Sequence, residues 1–372
     1  MSLAILVSGI PPVPAMAAEK PAKSAPQFAV PQPGRKFVFP RDHGSHPEFK
    51  VEWWYITGHL YTIDHRRFGY QATFFRRATD KPDSAGSPLF GSSHLFLTHM
   101  ALLDVQTGAF SFQERLNRNG WDAQASTETL DVACGPWSLR MPDPAASKMV
   151  LAGSMRNDDA WQLELTPSKP LVIFGENGVS RKGAAPSAAS HYLTFPRLAT
   201  TGKLTFGSEQ FQVRGESWMD HEISSSQLDE DQVGWDWACL QFRDGREAMV
   251  YRMRRRDGKA DPFSTLAWIA ADGKLQHITS HDFELAPLDH WRSPHTGAEY
   301  PSGFRLTALT PTGQRQTWRL VPLAKDQELT GAVTGIAYWE GACRLEDELG
   351  KEVGSAFVEM TGYAGNLAEK FK

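Results

Sequence analysis

Three Asp-Gly dipeptides, Asp244-Gly245, Asp257-Gly258 and Asp272-Gly273, constrain this chain more than any other feature. They separate the runs 235–243, 246–254, 263–270 and 274–280, in which apolar and polar residues tend to alternate. Alternation with period two belongs to half-buried strands, and Asp-Gly supplies the positive φ that two-residue hairpin turns require. Four strands joined by three such turns form an antiparallel meander. A meander removes its unpaired edges by closing into an up-and-down barrel.

The preceding half reads the same way. Short strand-like runs at 51–61, 68–76, 96–104, 161–165 and 204–206 are separated by Gly, Pro and Ser clusters. Helical periodicity is confined to two weak stretches, 113–118 and 323–327. The stretch 223–233 is polar and acidic, and is the natural boundary between two β domains. With 372 residues there is chain enough for each to bury a core. The expected organisation is an export segment at 1–18, a Pro-, Ala- and Lys-rich flexible lead-in at 19–36, and barrels at 37–222 and 223–372. The export segment is read from the apolar run 3–10 and the small-residue pattern Ala15-Met16-Ala17, and implies a periplasmic or secreted protein.

A formal charge of −4 gives no global attraction to phosphate backbones, so no nucleic-acid partner is expected. The one basic cluster, Arg252, Arg254, Arg255 and Arg256, reads as a solvated strand end. Cys134, Cys239 and Cys343 show no CxxC spacing, which argues against a zinc ribbon or a redox dithiol; inside strands, a free cysteine is a small buried hydrophobe. Twelve tryptophans are more than a core corner uses and suggest aromatic walls, packed between sheets or facing a cavity.

Three constellations bear chemistry. In the strand 52–60, Glu52, Trp54, Ile56 and Leu60 share one face, and Trp53, Tyr55, Thr57 and His59 the other. A carboxylate beside apolar groups must be paired, protonated or placed at a barrel mouth. In Gly215-Glu216-Ser217-Trp218-Met219-Asp220-His221-Glu222, the carboxyls of Glu216, Asp220 and Glu222 line one face with Trp218, and His221 points away. Crowded carboxyls raise one another's pKa, and a carboxyl kept neutral near pH 7 can act as an acid. The alternative is a strand end whose acids pair with Arg197, Arg243 or Arg246. In Trp235-Asp236-Trp237, Asp236 lies on an apolar face and needs a partner, as a structural hydrogen-bond hub does. Nucleophile-elbow, His-Glu-x-x-His, P-loop and dinucleotide patterns are absent. Asp42, His43 and His46 cluster without an obvious further ligand strand, so neither a metal nor a cofactor is expected, although His221 with His191 or His99 is geometrically possible.

Phe39-Pro40-Arg41-Asp42-His43-Gly44-Ser45-His46-Pro47, leading into Glu52-Trp53-Trp54-Tyr55 and Gly58, resembles the opening motif of the AttH and carotenoid 1,2-hydratase-like family. The strand 192–198, Trp218-Met219-Asp220-His221-Glu222, Gly234-Trp235-Asp236-Trp237, Tyr338-Trp339-Glu340-Gly341 and Glu359-Met360-Thr361-Gly362-Tyr363 resemble its later signatures. The resemblance implies two lipocalin-like (calycin) barrels packed together, export, and an aromatic-lined cavity for a lipid- or isoprenoid-like molecule. In the hydratase branch a carboxylic acid protonates an isolated carbon–carbon double bond without a cofactor, and water captures the cation. The expected catalytic residues are Asp220, His221 and Glu222. Glu52, Trp54, Tyr55, Tyr192, Trp218, Trp235, Asp236 and Trp237 are expected to line the ligand site. The first expectation is binding of the apolar molecule unchanged, as by a carrier in company with a membrane export transporter, and the hydratase-type chemistry is the alternative.

Overall fold

The computed structural model describes residues 28–79, 94–120 and 122–365. The expected export segment and the first part of the lead-in lie outside the described residues. Strand accounts for 61% of the structure and helix for 2%, which makes the protein all-β, with two nearly closed antiparallel barrels in the lipocalin-like manner. Among the described residues, a 13-stranded sheet runs from Val51–Tyr61 to Glu209–Ser226, and a 10-stranded sheet from Gln232–Phe242 to Glu352–Met360. In each, the first strand pairs with the last. That pairing curls each meander toward closure, leaving as edges Ala109–Arg118 and Ala123–Ala125 in the first sheet and Leu275–Thr279 and Phe283–Pro287 in the second.

The expected meander is present: Gln232–Phe242, Glu247–Arg255, Thr265–Ile269 and Leu275–Thr279 pair in sequence. Its turns differ in type from the expectation. Gly245, Gly258 and Gly273 have φ of 86°, 81° and 82°, but the aspartates before them are not in the left-handed region. Each aspartate Oδ1 instead accepts from the backbone N–H two residues on, at 3.1 Å in all three turns. These are wider turns with one left-handed glycine, held by the Asx side chain.

Three further expectations are corrected. The boundary at 223 falls inside a strand: Ile223 is fully buried against Phe49 and Leu193, so Glu209–Ser226 extends into the polar, acidic stretch, and the link between barrels is 227–231. Residues 113–118 belong to the strand Ala109–Arg118, paired with His94–Asp104, and 323–327 form no helix. Two of the four clustered arginines are not simply solvated, since Arg252 and Arg254 reach Asp236 at 3.6 and 3.3 Å. The three cysteines are buried and free.

Both barrel interiors are packed. Trp54, Ile56, Leu60, Trp137 and Leu163 fill the first; Leu240, Val250, Trp268 and Trp318 fill the second. A third apolar cluster, with Tyr55, Tyr192 and Trp218 from one barrel and Trp237, Met249 and Phe357 from the other, forms the seam between them. The close approach depends on Gly69, where a Cβ would stand 2.5 Å from the Ala342 Cβ across the seam. Gly69→Ala is therefore expected to cost about 1–3 kcal/mol through overpacking, measured as a lower urea midpoint. An unchanged midpoint would mean that the barrels part freely there.

Candidate functional site

Alternation along Glu209–Ser226 sends neighbouring residues to opposite places. Trp218, Asp220 and Glu222 face the seam, whereas Met219 and His221 turn into the first barrel. The expected facial split is thus correct, but the acids do not look into a barrel. Asp220 is 2% exposed. Its Oδ2 accepts from the Tyr192 hydroxyl at 2.6 Å, and its Oδ1 from the Thr194 hydroxyl at 2.5 Å and the Trp218 indole N–H at 2.7 Å. The Trp237 indole N–H donates to the Tyr192 oxygen at 3.0 Å, so the second barrel completes the arrangement. Burial raises the Asp220 carboxyl to about 7; the three donors oppose this, and the nearby Glu222 charge adds to it. No cation is among the groups that act on it most.

Three of the other seam carboxyls lie in the same part of the seam as Asp220. Glu222 accepts from Ser190 at 2.5 Å and lies 3.3 Å from the Lys182 ammonium. Glu340 accepts from the Tyr55 hydroxyl at 2.5 Å; its Oε2 is buried without a partner, and burial with the Glu359 charge pushes it well above the usual carboxylate range. Glu359 accepts from the Trp235 indole at 2.9 Å and is raised to about 7, chiefly by burial, with Glu222 raising it further and Trp235 and Lys182 opposing. Of the arginines expected to pair with these acids, Arg197 does pair with Glu216, at 2.6 Å, but Asp220 and Glu222 have other partners. A cavity of about 540 Å³ opens at one end of the seam, lined by His59, Tyr61, Thr200, Glu216, Gln241 and Ser355 among others. Glu216 precedes Asp220 by four residues, about 13 Å along an extended strand.

The remaining expected residues separate from this group. Trp54 is fully buried in the first barrel's core and lines no seam surface. Glu52 is fully buried in that barrel's polar end, where His221 Nε2 meets its Oε1 at 2.9 Å and Arg76 its Oε2 at 3.0 Å. Burial opposes ionisation, but the two imidazoles and the guanidinium hold Glu52 well below its ordinary pKa. His221 is therefore not beside Asp220, because consecutive strand residues point apart. Asp236 is the expected hub: inside the second barrel it meets Arg252, Arg254 and the Tyr363 hydroxyl. The sequence reading missed Thr194, Lys182, Glu340 and Glu359 in the seam, although the last two lie in the motifs that carried the resemblance.

The AttH-like family profile matches residues 30–363. The chain belongs to the AttH-like family. Its AttH fold is similar to that of a Nitrosomonas europaea protein described as an AttH, with 33% identity over 90% of this chain and 100% of that one, and a TM-score of 0.80. Kievitone hydratase from Nectria haematococca is similar at 14% identity, 91% and 99% coverage and a TM-score of 0.66. CghA in complex with Sch210972 is similar at 12% identity, 91% and 97% coverage and a TM-score of 0.54. These last two are likenesses of fold alone. None of the curated proteins matches this AttH-like chain in sequence.

The seam acids also give a stability expectation. A glutamate's ordinary pKa is 4.5, and that of folded Glu359 is about 7. Between those values the folded chain holds a proton that the unfolded chain releases. This contribution to stability is fully present below pH 4.5 and is lost as pH rises through 7. Its ceiling is about 3 kcal/mol, reduced because Glu359 is only partly buried. Urea unfolding at pH 5 and pH 8 should show the wild type losing more stability than Glu359→Gln. Parallel losses would place the titration elsewhere.

Proposed function

We propose that this chain binds an unsaturated apolar molecule in the seam between its barrels and adds water across an isolated double bond, with Asp220 as the proton donor. The observation that carries this reading is a buried carboxyl held by hydroxyl and indole donors, with no cation among its direct partners, beside the rings of Tyr192, Trp218 and Trp237. A carboxyl in such surroundings retains its proton near neutral pH, as general acid catalysis needs. Transfer of that proton to one alkene carbon leaves a cation on the more substituted carbon. The indole faces of Trp218 and Trp237 stabilise the cation, the Tyr192 ring being already paired with the Lys182 ammonium 4.6 Å from its centroid. Water then bonds to it and returns one proton to Asp220, so the product is the alcohol and the carboxyl is regenerated. No cofactor is needed for this step, and the same two-barrel fold carries a hydratase in kievitone hydratase.

Purified protein incubated with acyclic carotenoids or terpenoids should yield a product heavier by one water, with the oxygen derived from labelled solvent. Binding of these compounds without such a product would remove the catalytic half of the reading. One observation favours a second reading, a carrier. Asp220 is already saturated by three donors and nearly inaccessible, so a ligand reaches it only if the seam opens. A carrier would hold its ligand in the 540 Å³ cavity at the seam's end and leave Asp220 as a structural group. An unmodified lipid co-purifying with the protein, detected by mass spectrometry and retained by Asp220→Asn, would favour the carrier.

A further inference from the structure

Back to back with the seam, across the same strand, lies a second group of side chains that the proposed reaction does not use. His46 Nδ1 and His221 Nε2 converge on one oxygen of Glu52, at 2.8 and 2.9 Å. All three residues are buried, and one ligand atom from each lies within 4.8 Å of the others. We propose that His46, Glu52 and His221 bind one divalent zinc ion inside the first barrel.

Two imidazole nitrogens and one carboxylate oxygen form a recurrent zinc-binding donor set. Tetrahedral zinc with bonds of about 2.0–2.1 Å needs its ligand atoms roughly 3.3 Å apart. The two observed nitrogen–oxygen separations would therefore open by about half an ångström. The surroundings fit as well. A ligating histidine commonly gives its other ring nitrogen to a carboxylate, which fixes the ring and raises its basicity. His46 Nε2 does so, lying 2.9 Å from Asp42 Oδ1. Oε2 of the Glu52 carboxylate is anchored by the Ser45 hydroxyl at 2.8 Å and Arg76 Nε at 3.0 Å, and the His46 backbone N–H reaches both oxygens, at 3.1 Å to Oε1 and 2.9 Å to Oε2, while Oε1 faces the imidazoles.

Binding a cation through Nε2 moves the ring's proton to Nδ1, which is buried without a hydrogen-bond partner; His221 then ligates as the neutral tautomer at the cost of one unsatisfied buried N–H. The other displaced proton, shared between His46 Nδ1 and Glu52, leaves to solvent. The three ligands come from the segment before the first strand, from Val51–Tyr61 and from Glu209–Ser226, so the ion would tie the irregular entry segment to the barrel.

The test uses the full chain produced with zinc in the medium and dialysed against a weak chelator. Metal analysis should find about one zinc per chain. His221→Asn and His46→Asn should each lose it, whereas His191→Gln, outside the cluster, should keep it. Asp42→Asn, which removes the carboxylate beside His46 together with its ion pairs to Arg35 and Arg41, should weaken zinc binding about 10- to 100-fold. Cobalt loaded in place of zinc should show the intense visible bands of a tetrahedral site. That spectrum of the wild-type chain decides the matter if the histidine variants fail to fold. No zinc retained and no cobalt bands, or zinc retained equally by both histidine variants, would overturn the site and leave a hydrogen-bond network only. Neither result bears on Asp220, which faces the other way.

Discussion

Asp220→Asn is expected to lower hydration turnover by a factor of about 10² to 10⁴, the range associated with loss of a positioned general acid. The amide matches the carboxyl in size but has no acidic proton to give. Its oxygen can keep the Thr194 and Trp218 hydrogen bonds, while its NH₂ meets the Tyr192 oxygen, which already accepts from Trp237. Some stability is therefore lost, about 1–3 kcal/mol if one donor is left without a partner. The decisive quantity is the ratio of turnover to ligand affinity. Turnover should collapse while affinity for the apolar ligand changes little, because the binding surface is the aromatic faces and these remain. Tyr192→Phe gives a graded control: it removes one donor to Asp220 and leaves the proton in place, so a smaller loss is expected. Wild-type turnover in Asp220→Asn would take Asp220 out of the chemistry altogether.

Much of this architecture could be read before any coordinates, and what could be read was local. An Asp-Gly turn depends on a few consecutive residues, so the meander from Gln232–Phe242 to Leu275–Thr279 followed from the spacing alone. The facial split of residues 52–60 and 216–222 followed from period two. What period two does not specify is which face meets what. Tyr55 and Trp237 are 5.2 Å apart only because two nearly closed barrels dock along these strands. The alternation therefore leaves open whether the acids near 220 line a barrel or the interface; Asp220 and Glu222 face the other barrel. Glu52 was recognised as needing a partner, but His221 is 169 residues away, and register between the first and last strands brings them together. Ile223 reads as loop because the residues after it are polar. Its burial comes from Phe49 and Leu193, which no local window contains. The motifs nonetheless marked the right places, since Glu340 and Glu359 both sit in signatures that carried the family resemblance.

The two buried polar groups on either side of Glu209–Ser226 differ in kind, and that difference leads to the remaining expectation. The seam carboxyls are mostly raised in pKa, and Asp220 is held by neutral donors. The group inside the first barrel is ionised and compensated. Arg76, 2% exposed, is its cationic anchor: Nε reaches Glu52 at 3.0 Å, and Nη2 donates to the carbonyls of His46 and Phe49 at 3.0 and 2.9 Å. Removing one partner of a buried ion pair costs far more than the pair contributes, because the other charge stays buried without compensation. Arg76→Met fills most of the volume and removes the charge, so packing loss is small and the electrostatic loss is isolated. The expected destabilisation is about 3–5 kcal/mol, measured by urea unfolding at pH 7. It should shrink as pH falls far enough for Glu52 to take a proton, which occurs only in strong acid while the carboxyl is held below its ordinary range, but at higher pH once Arg76 is gone. The double variant Arg76→Met with Glu52→Gln should recover part of the loss, since the uncompensated charge is then absent. A loss below about 1 kcal/mol in the single variant would show that His46 and His221 neutralise Glu52 without Arg76.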